Sequence, residues 1–288
     1  MTPNASMQID ISKLRDIPTI PVVVTKAIAI INSPRSSARD LTDLIVNDQV
    51  LAAKILKVAN SAYYGLPSKV NNLNRAITLI GFNEVKRMIT PLLLLDTFKS
   101  FKNNRFFSSE KFWTHSLAVA SASEIIASRN RLPEDVGEAR VVGLLHDIGR
   151  LIIVEYFPDA FETVMANIEM GIDVLKAENA ILGMEHGEAG AQVTETWNLP
   201  ASVANVIRYH HHTEDCPEAF KMLAEIVRVA DHLAYQVEMP SLLCGNKPEL
   251  PDEIRDRYLK SEDDIEILIT KLETEVEKSQ ILLNMIHD

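Results

Sequence analysis

The strongest restriction on the fold of this chain is a period. Nearly every segment of its 288 residues repeats apolar positions at steps of three and four, and no segment alternates convincingly as a strand does. Side chains at that spacing share one face of a helix, so the reading is all-α: several short antiparallel helices around two linked cores. Apolar residues make up 47% of the chain, enough to fill such cores.

Turn residues divide the pattern. Pro18 and Pro21 open a helix through Ile31, which Asn32-Ser33-Pro34 stops. Further helices are expected over 38–46 and 48–59, the latter followed by N-S-A-Y-Y-G, a turn ended by Gly65 and Pro67. Asn72 or Asn74 caps a short helix that stops at Gly81; Asn83 caps the next, with a kink at Pro91. This first block covers 1–105. A second, 106–240, opens with Ser108 or Ser109 as cap of a helix to about Arg129. Pro133 starts a helix that carries His146 and Asp147, and others are expected from Pro158, over 173–182, 186–197 and 201–211, and from Pro217 to Val237. Residues 241–288 form a C-terminal tail with two charged helices from Asp252 onward.

Within the second block, Val141–Arg150 reads V-V-G-L-L-H-D-I-G-R. It sets an imidazole and a carboxylate inside an apolar run, where an unpaired charge is very costly. Gly149 allows a sharp turn just after the pair. A buried His-Asp hydrogen bond or a capping pair would answer the cost, and so would a metal ion, since both groups are ligands for Zn, Mn or Fe.

Helical spacing turns five more polar residues inward. His115 shares a stripe with Phe112, Val119, Ala122 and Ile126; His186 with Gly190, Val193 and Trp197; His210 with Val203, Val206 and Ile207. His211 falls one step around from His210, and Asp231 lies with Ala224, Val227 and Ala234. Each alone is more often a satisfied core polar residue than a ligand. Seven such groups in one block would most simply share one or two divalent cations, and a His-rich set with carboxylate support suits Fe, Mn or Zn better than Mg or Ca. His212 reads as loop or rim, His232 faces away from the Asp231 stripe, and His287 lies in the tail.

The net charge of −11 disfavours a nucleic-acid groove or docking on an anionic membrane. Cys216 and Cys244 have no motif spacing and read as thiols of a reducing cytoplasm. The N-terminus has neither the basic nor the apolar region of a signal peptide, and no apolar run reaches a membrane span. Neither G-x-x-x-x-G-K nor G-x-G-x-x-G occurs, so a nucleotide loop of those kinds is absent.

The order His115, His146-Asp147, His186, His210-His211, Asp231 resembles the HD superfamily of metal-dependent phosphohydrolases. That resemblance implies one ion held by His115, His146, Asp147 and Asp231, with Asp147 bridging to a second held by His186, His210 and His211. I-P-T-I-P-V-V-V-T-K-A, N-D-Q-V-L-A-A-K-I-L-K-V-A-N-S-A-Y-Y-G, N-R-A-I-T-L-I-G-F-N-E-V-K-R-M-I, G-L-L-H-D-I-G-R-L, M-E-H-G-E-A-G and W-N-L-P together resemble the HDOD family, the HD-related output domains of bacterial signalling, over roughly 17–212. The fold implied is an HD core with an N-terminal helical HDOD subdomain. Many HDOD members have lost metal ligands, whereas this chain keeps the whole set. It departs from the HD-GYP phosphodiesterases, because H-T-E-D-C-P follows His210-His211 and Arg150 stands where those enzymes usually carry Lys.

The expected function is that of a cytoplasmic HDOD-type regulatory protein with a retained metal site, acting on a protein signalling partner or a small phosphorylated ligand or nucleotide. The alternative is a metal-dependent phosphohydrolase acting on a nucleotide or phosphodiester. In that case Asp147 is the bridging ligand of the catalytic metals, and Arg150 is the candidate guanidinium for phosphate. The first block, without histidine or cysteine, is read as an interaction or regulatory subdomain; its acids Asp40, Asp43 and Asp48 are placed at helix starts.

Overall fold

The computed structural model describes residues 9–11, 20–33, 35–61, 64–66, 68–98, 104–130, 136–237 and 249–287. All regular secondary structure among them is helical. No helix among the described residues is long and apolar enough to cross a membrane. The chain divides into two compact units, one of residues 18–100 and 274–288, the other of residues 1–17 and 101–273.

The first unit contains α1 (Val22–Asn32), α2 (Ala38–Val46), α3 (Gln49–Ala59), α4 (Leu73–Ile80) and α5 (Phe82–Phe98). Its helix starts follow local rules. Ser37 and Asp40 form a reciprocal capping box on α2, Asp48 accepts from Leu51 N at 2.9 Å to cap α3, and Asn72 accepts from Arg75 N to cap α4. Two expected positions differ. Asp43 lies in the middle of α2, exposed, because Ser37 sets the start. Asn83 is the second residue of α5 and not its cap: Gly81, at φ 95°, ends α4, and α5 begins at once. Pro91 sits inside α5. In N-S-A-Y-Y-G, Asn60 Nδ2 donates to Val70 O at 2.7 Å and Val70 N donates back to Asn60 Oδ1 at 2.7 Å, which fixes the connection between α3 and α4. Ala62 and Tyr63 of that motif, like Pro18 and Pro67, lie outside the described residues.

The second unit contains α6 (Ser109–Arg129), α7 (Val136–Leu145), α8 (Ile148–Tyr156), α9 (Pro158–Glu169), α10 (Val174–Leu182), α11 (His186–Thr196), α12 (Ala201–Tyr209), α13 (Glu218–Gln236) and α14 (Asp252–Tyr258). The last helix, α15 (Glu262–His287), starts here. Ser108 caps α6, which is buried on nearly every side from Phe112 to Ser123, as a helix at the centre of a core must be. Pro133 and residues 238–248, with Cys244, lie outside the described residues.

Glycines let two helix pairs approach closely. A Cβ on Gly143 would stand 2.7 Å from Ser123 Oγ and 2.9 Å from Val119 O, so only glycine admits α6 against α7. A Cβ on Gly149 would stand 1.9 Å from His186 O and 2.6 Å from Gly190 N, which fixes α8 hard against the start of α11.

Candidate metal centre

The seven predicted ligands come from five places in the second unit. His115 projects from α6, Asp231 from α13 and His186 from the first turn of α11; His210 and His211 follow the end of α12. His146 and Asp147 are not helical, contrary to the expectation that a helix from Pro133 carries them. α7 stops at Leu145, and the pair forms the tight turn to α8, with Arg150 N donating to Asp147 O at 2.9 Å. The apolar run resembles one long helix because α7 and α8 are both buried and no polar residue marks the break.

These side chains meet. Asp147, His186, His210 and His211 each offer an atom to a group within 4.8 Å of one another, and His115, His146 and Asp231 do the same beside it. His186 Nε2 lies 3.3 Å from His210 Nε2, 3.1 Å from His211 Nε2 and 3.2 Å from Asp147 Oδ1. In the second group His115 Nε2 is 3.1 Å from Asp231 Oδ1, and His146 Nε2 is 3.9 Å from the same oxygen and 3.6 Å from Asp147 Oδ2. All but His211 are buried, none more than 4% exposed; His211 is half-buried.

The tautomers suit a cation. His146 Nδ1 is 2.8 Å from Gly143 O and His210 Nδ1 is 2.6 Å from Ile207 O. A carbonyl only accepts, so each Nδ1 carries the proton and donates. The neutral rings therefore point Nε2 lone pairs at the cluster. His146 Nε2 is buried and makes no hydrogen bond, an arrangement that costs stability unless something positive sits there. A tetrahedral ion with nitrogen ligands at about 2.1 Å separates its donors by roughly 3.4 Å, close to the spacings around His186. The donors are imidazole and carboxylate, the set that suits Zn, Fe or Mn. The residues thus fit a divalent transition metal.

Electrostatics follow from burial and pairing. Burial pushes the Asp147 carboxyl up, but Arg150, His146 and His186 hold it well below the ordinary carboxylate range. Asp231 is likewise raised by burial and brought below its usual value by His115. Burial drives His210 and His211 well down, so both are neutral and ready to ligate. His186 is pushed down by burial and by Arg150, yet Glu178 and Asp147 raise it to about 9.

Two residues change the picture drawn from the sequence. Arg150, expected to reach for phosphate, is buried, and its Nη1 donates to Asp147 Oδ2 at 2.7 Å. Glu178 of α10 escaped notice. It is buried, and it accepts from both His186 N at 2.9 Å and His186 Nδ1 at 2.7 Å. The signal was available: Glu178 stands between Val174 and Leu182 at steps of four, a carboxylate on an apolar line beside Ala177. Outside the cluster, His212 Nε2 lies 2.8 Å from Glu185 Oε2 at the rim, and His232 is half-buried near Gln236.

Comparison with known proteins places these features. An uncharacterised protein of Treponema pallidum (strain Nichols) is 23% identical over 220 residues, 76% of this chain and 42% of that protein. The uncharacterised protein YuxH of Bacillus subtilis (strain 168) is 30% identical over 104 residues, 36% of this chain and 24% of that one. The chain thus spans less than half the length of either relative. Among solved structures, an HDOD domain protein of unknown function from Geobacter sulfurreducens superposes with a TM-score of 0.76 at 24% identity, covering 96% of this chain and 95% of that one. A protein of Marinobacter aquaeolei VT8 provisionally assigned to signal transduction gives 0.79 at 22% identity, covering 99% of this chain and 63% of that one. A protein of Shewanella amazonensis SB2B provisionally assigned as a phosphohydrolase gives 0.70 at 22%, covering 96% and 97%. At these identities the superpositions establish a shared all-α fold. The HDOD domain model matches residues 17–213, from the start of the first helical unit to just past His211. This chain belongs to the HDOD domain family.

Proposed function

We propose that this chain is a cytoplasmic bacterial regulatory module whose His/Asp cluster binds a divalent transition metal, Fe, Mn or Zn, as a structural or sensing element. Its output is a contact with a protein partner or a small phosphorylated ligand. The observation that carries this reading is closure. Six of the seven candidate ligands are buried, and the one guanidinium that the sequence offered to a phosphate is turned inward onto Asp147. Structural metal sites are closed, whereas catalytic ones keep a position open to substrate. The provisional assignment of the Marinobacter protein to signal transduction agrees with it.

A second reading, a metal-dependent phosphohydrolase, draws on the half-buried His211 and on the provisional assignment of the Shewanella protein. The bound metal would then supply Lewis acidity near a phosphoryl group. The chain's own part would be to hold it through Asp147 and the histidines.

Metal-loaded protein assayed with cyclic dinucleotides, nucleotides and a generic phosphodiester separates the two. The regulatory reading expects no turnover with a filled site. Turnover that requires the metal and disappears in Asp147→Ala would overturn it.

A further inference from the structure

The sequence of α1, V-V-V-T-K-A-I-A-I-I-N, is apolar at eight of its eleven positions and on every side. A helix of that kind is ordinarily buried all round. Here one face is: Val24, Ala27, Ile28 and Ile31 lie in the core of the first unit. The opposite face is open. Val22 is 68% exposed, Ala29 is exposed and Ile30 is half-buried. With Leu44 of α2 these side chains line a groove of about 730 Å³. The charges around it differ in their engagement. Asp40 accepts from Ser37 N at 2.8 Å and from Ser37 Oγ at 2.7 Å, Asp43 lies 3.9 Å from Arg39, and Asp48 caps α3. Lys26 and Arg35 also line the groove, both exposed, and neither has a carboxylate partner among the described residues. The groove therefore joins an apolar floor to two unpaired cations.

The distribution of charge along the chain supplies the complement. Residues 18–100 carry ten Lys and Arg against five Asp and Glu, whereas residues 151–200 carry nine Asp and Glu against a single Lys. Within that acidic stretch α9 sets Asp159, Glu162, Ala166 and Glu169 along one exposed face, at steps of three and four, and Met170 continues it. Met170 is 71% exposed, and Ile172, 41% exposed, follows it past Gly171 at φ 85°. The pair of Glu169 with Arg105 at 3.8 Å joins two exposed side chains and holds little. An acidic helix face that ends in an adaptable methionine has the shape and the charge that the α1–α2 groove accepts.

We propose that this groove receives the α9 face of a second copy of the chain, with Met170 and Ile172 on its apolar floor and Glu162 and Glu169 facing Lys26 and Arg35. A net charge of −11 repels two copies in most orientations, but a basic region presented to an acidic one attracts. The contact is heterologous, since the groove and the α9 face are different surfaces and every copy carries one of each. Neither surface contains a candidate metal ligand, so the contact is independent of the metal reading.

The test is sedimentation velocity of the full chain up to millimolar concentration. The average mass of the wild type should rise with concentration. Raising the ionic strength from about 0.05 M to about 0.5 M should weaken the association roughly tenfold, because the screening length shortens. Val22→Asp puts a carboxylate in the groove and Met170→Asp puts one at the end of α9, both at exposed positions. Each variant alone should stay monomeric, with the unfolding midpoint of the wild type. Mixed, the two should associate one to one, because the first keeps an intact α9 face and the second an intact groove. A wild type that is monomeric throughout would leave the groove to another protein and overturn the proposal. So would self-association of either variant as strong as that of the wild type, or a mixture that stays monomeric. Association indifferent to salt would overturn the pairing of Glu162 and Glu169 with Lys26 and Arg35. If Val22→Asp does not fold, as judged by circular dichroism, Lys26→Glu takes its place with the same outcomes.

Discussion

Among the described residues, the unit of residues 18–100 buries a single polar side chain, Thr90, in a core of Val, Ile, Leu and Ala with Met88 and Phe98. The unit of residues 101–273 buries four histidines, four carboxylates and Arg150. Both are helical, but their polar groups are used differently. In the first, Ser37, Asp48 and Asn72 satisfy helix starts, each within three residues of its partner. In the second, polar side chains satisfy one another across long sequence separations, His186 with His210 and His115 with Asp231. The first arrangement needs nothing but the chain. The second leaves the buried His146 Nε2 without a hydrogen-bond partner, facing a cluster of donors that fits a cation.

Substitutions that hit one unit and spare the other sharpen that contrast. The largest effect is expected from Asp147→Ala. It abolishes metal uptake, and it also leaves the buried Arg150 guanidinium without its carboxylate, which costs about 3–5 kcal/mol even in metal-free protein. Urea denaturation in chelator measures the second effect separately from the first. Ile55→Ala, in the core of the first unit, should cost about 3 kcal/mol through the cavity it leaves, with metal affinity unchanged. If affinity fell with it, the units would not be independent in the way their contents suggest.

Glu178→Gln probes the support of a ligand. With the carboxylate replaced by a neutral amide, the hydrogen bond from His186 Nδ1 loses its charge and the ring its basicity, and metal affinity should fall about 10- to 100-fold while the helices remain. Direct metal titration reads it; unchanged affinity would reduce Glu178 to a buried partner of the His186 backbone. The smallest effect is expected at Asp48→Ala. Loss of the α3 cap should cost about 1 kcal/mol in urea denaturation and leave the metal untouched.

The same contrast explains what was legible in the sequence. Helix existence and caps depend on neighbours three or four residues away, so the bounds of α2 could be read directly and the caps of α4 and α6 narrowed to two candidates each, Asn72 or Asn74 and Ser108 or Ser109. The inward placement of the histidines and Asp231 was legible because a polar residue there breaks an apolar stripe. What was not legible depends on partners distant in sequence. The break between α7 and α8 is made by His146 donating to Gly143 O and by Gly149 touching α11, within a run that is apolar throughout. Arg150 has a long, flexible side chain, and its direction is set by Asp147 and by Glu178, 28 positions on. Asp43 was misplaced because an acid near a helix start and an acid in a second turn look alike until Ser37 identifies the cap.

The central claim is that a metal completes the interior of one unit and does nothing for the other. Amide hydrogen exchange of the full chain, with and without Zn²⁺ or Mn²⁺, tests it most directly, because ligand binding to the native state slows the openings that expose its site. Loading should slow exchange in α6, α7, α8, α11, α12 and α13, which carry or flank the ligands, and leave α1 to α4 as they were. Equal rates with and without metal in the ligand-bearing helices, or slowing spread evenly over both units, would contradict the account.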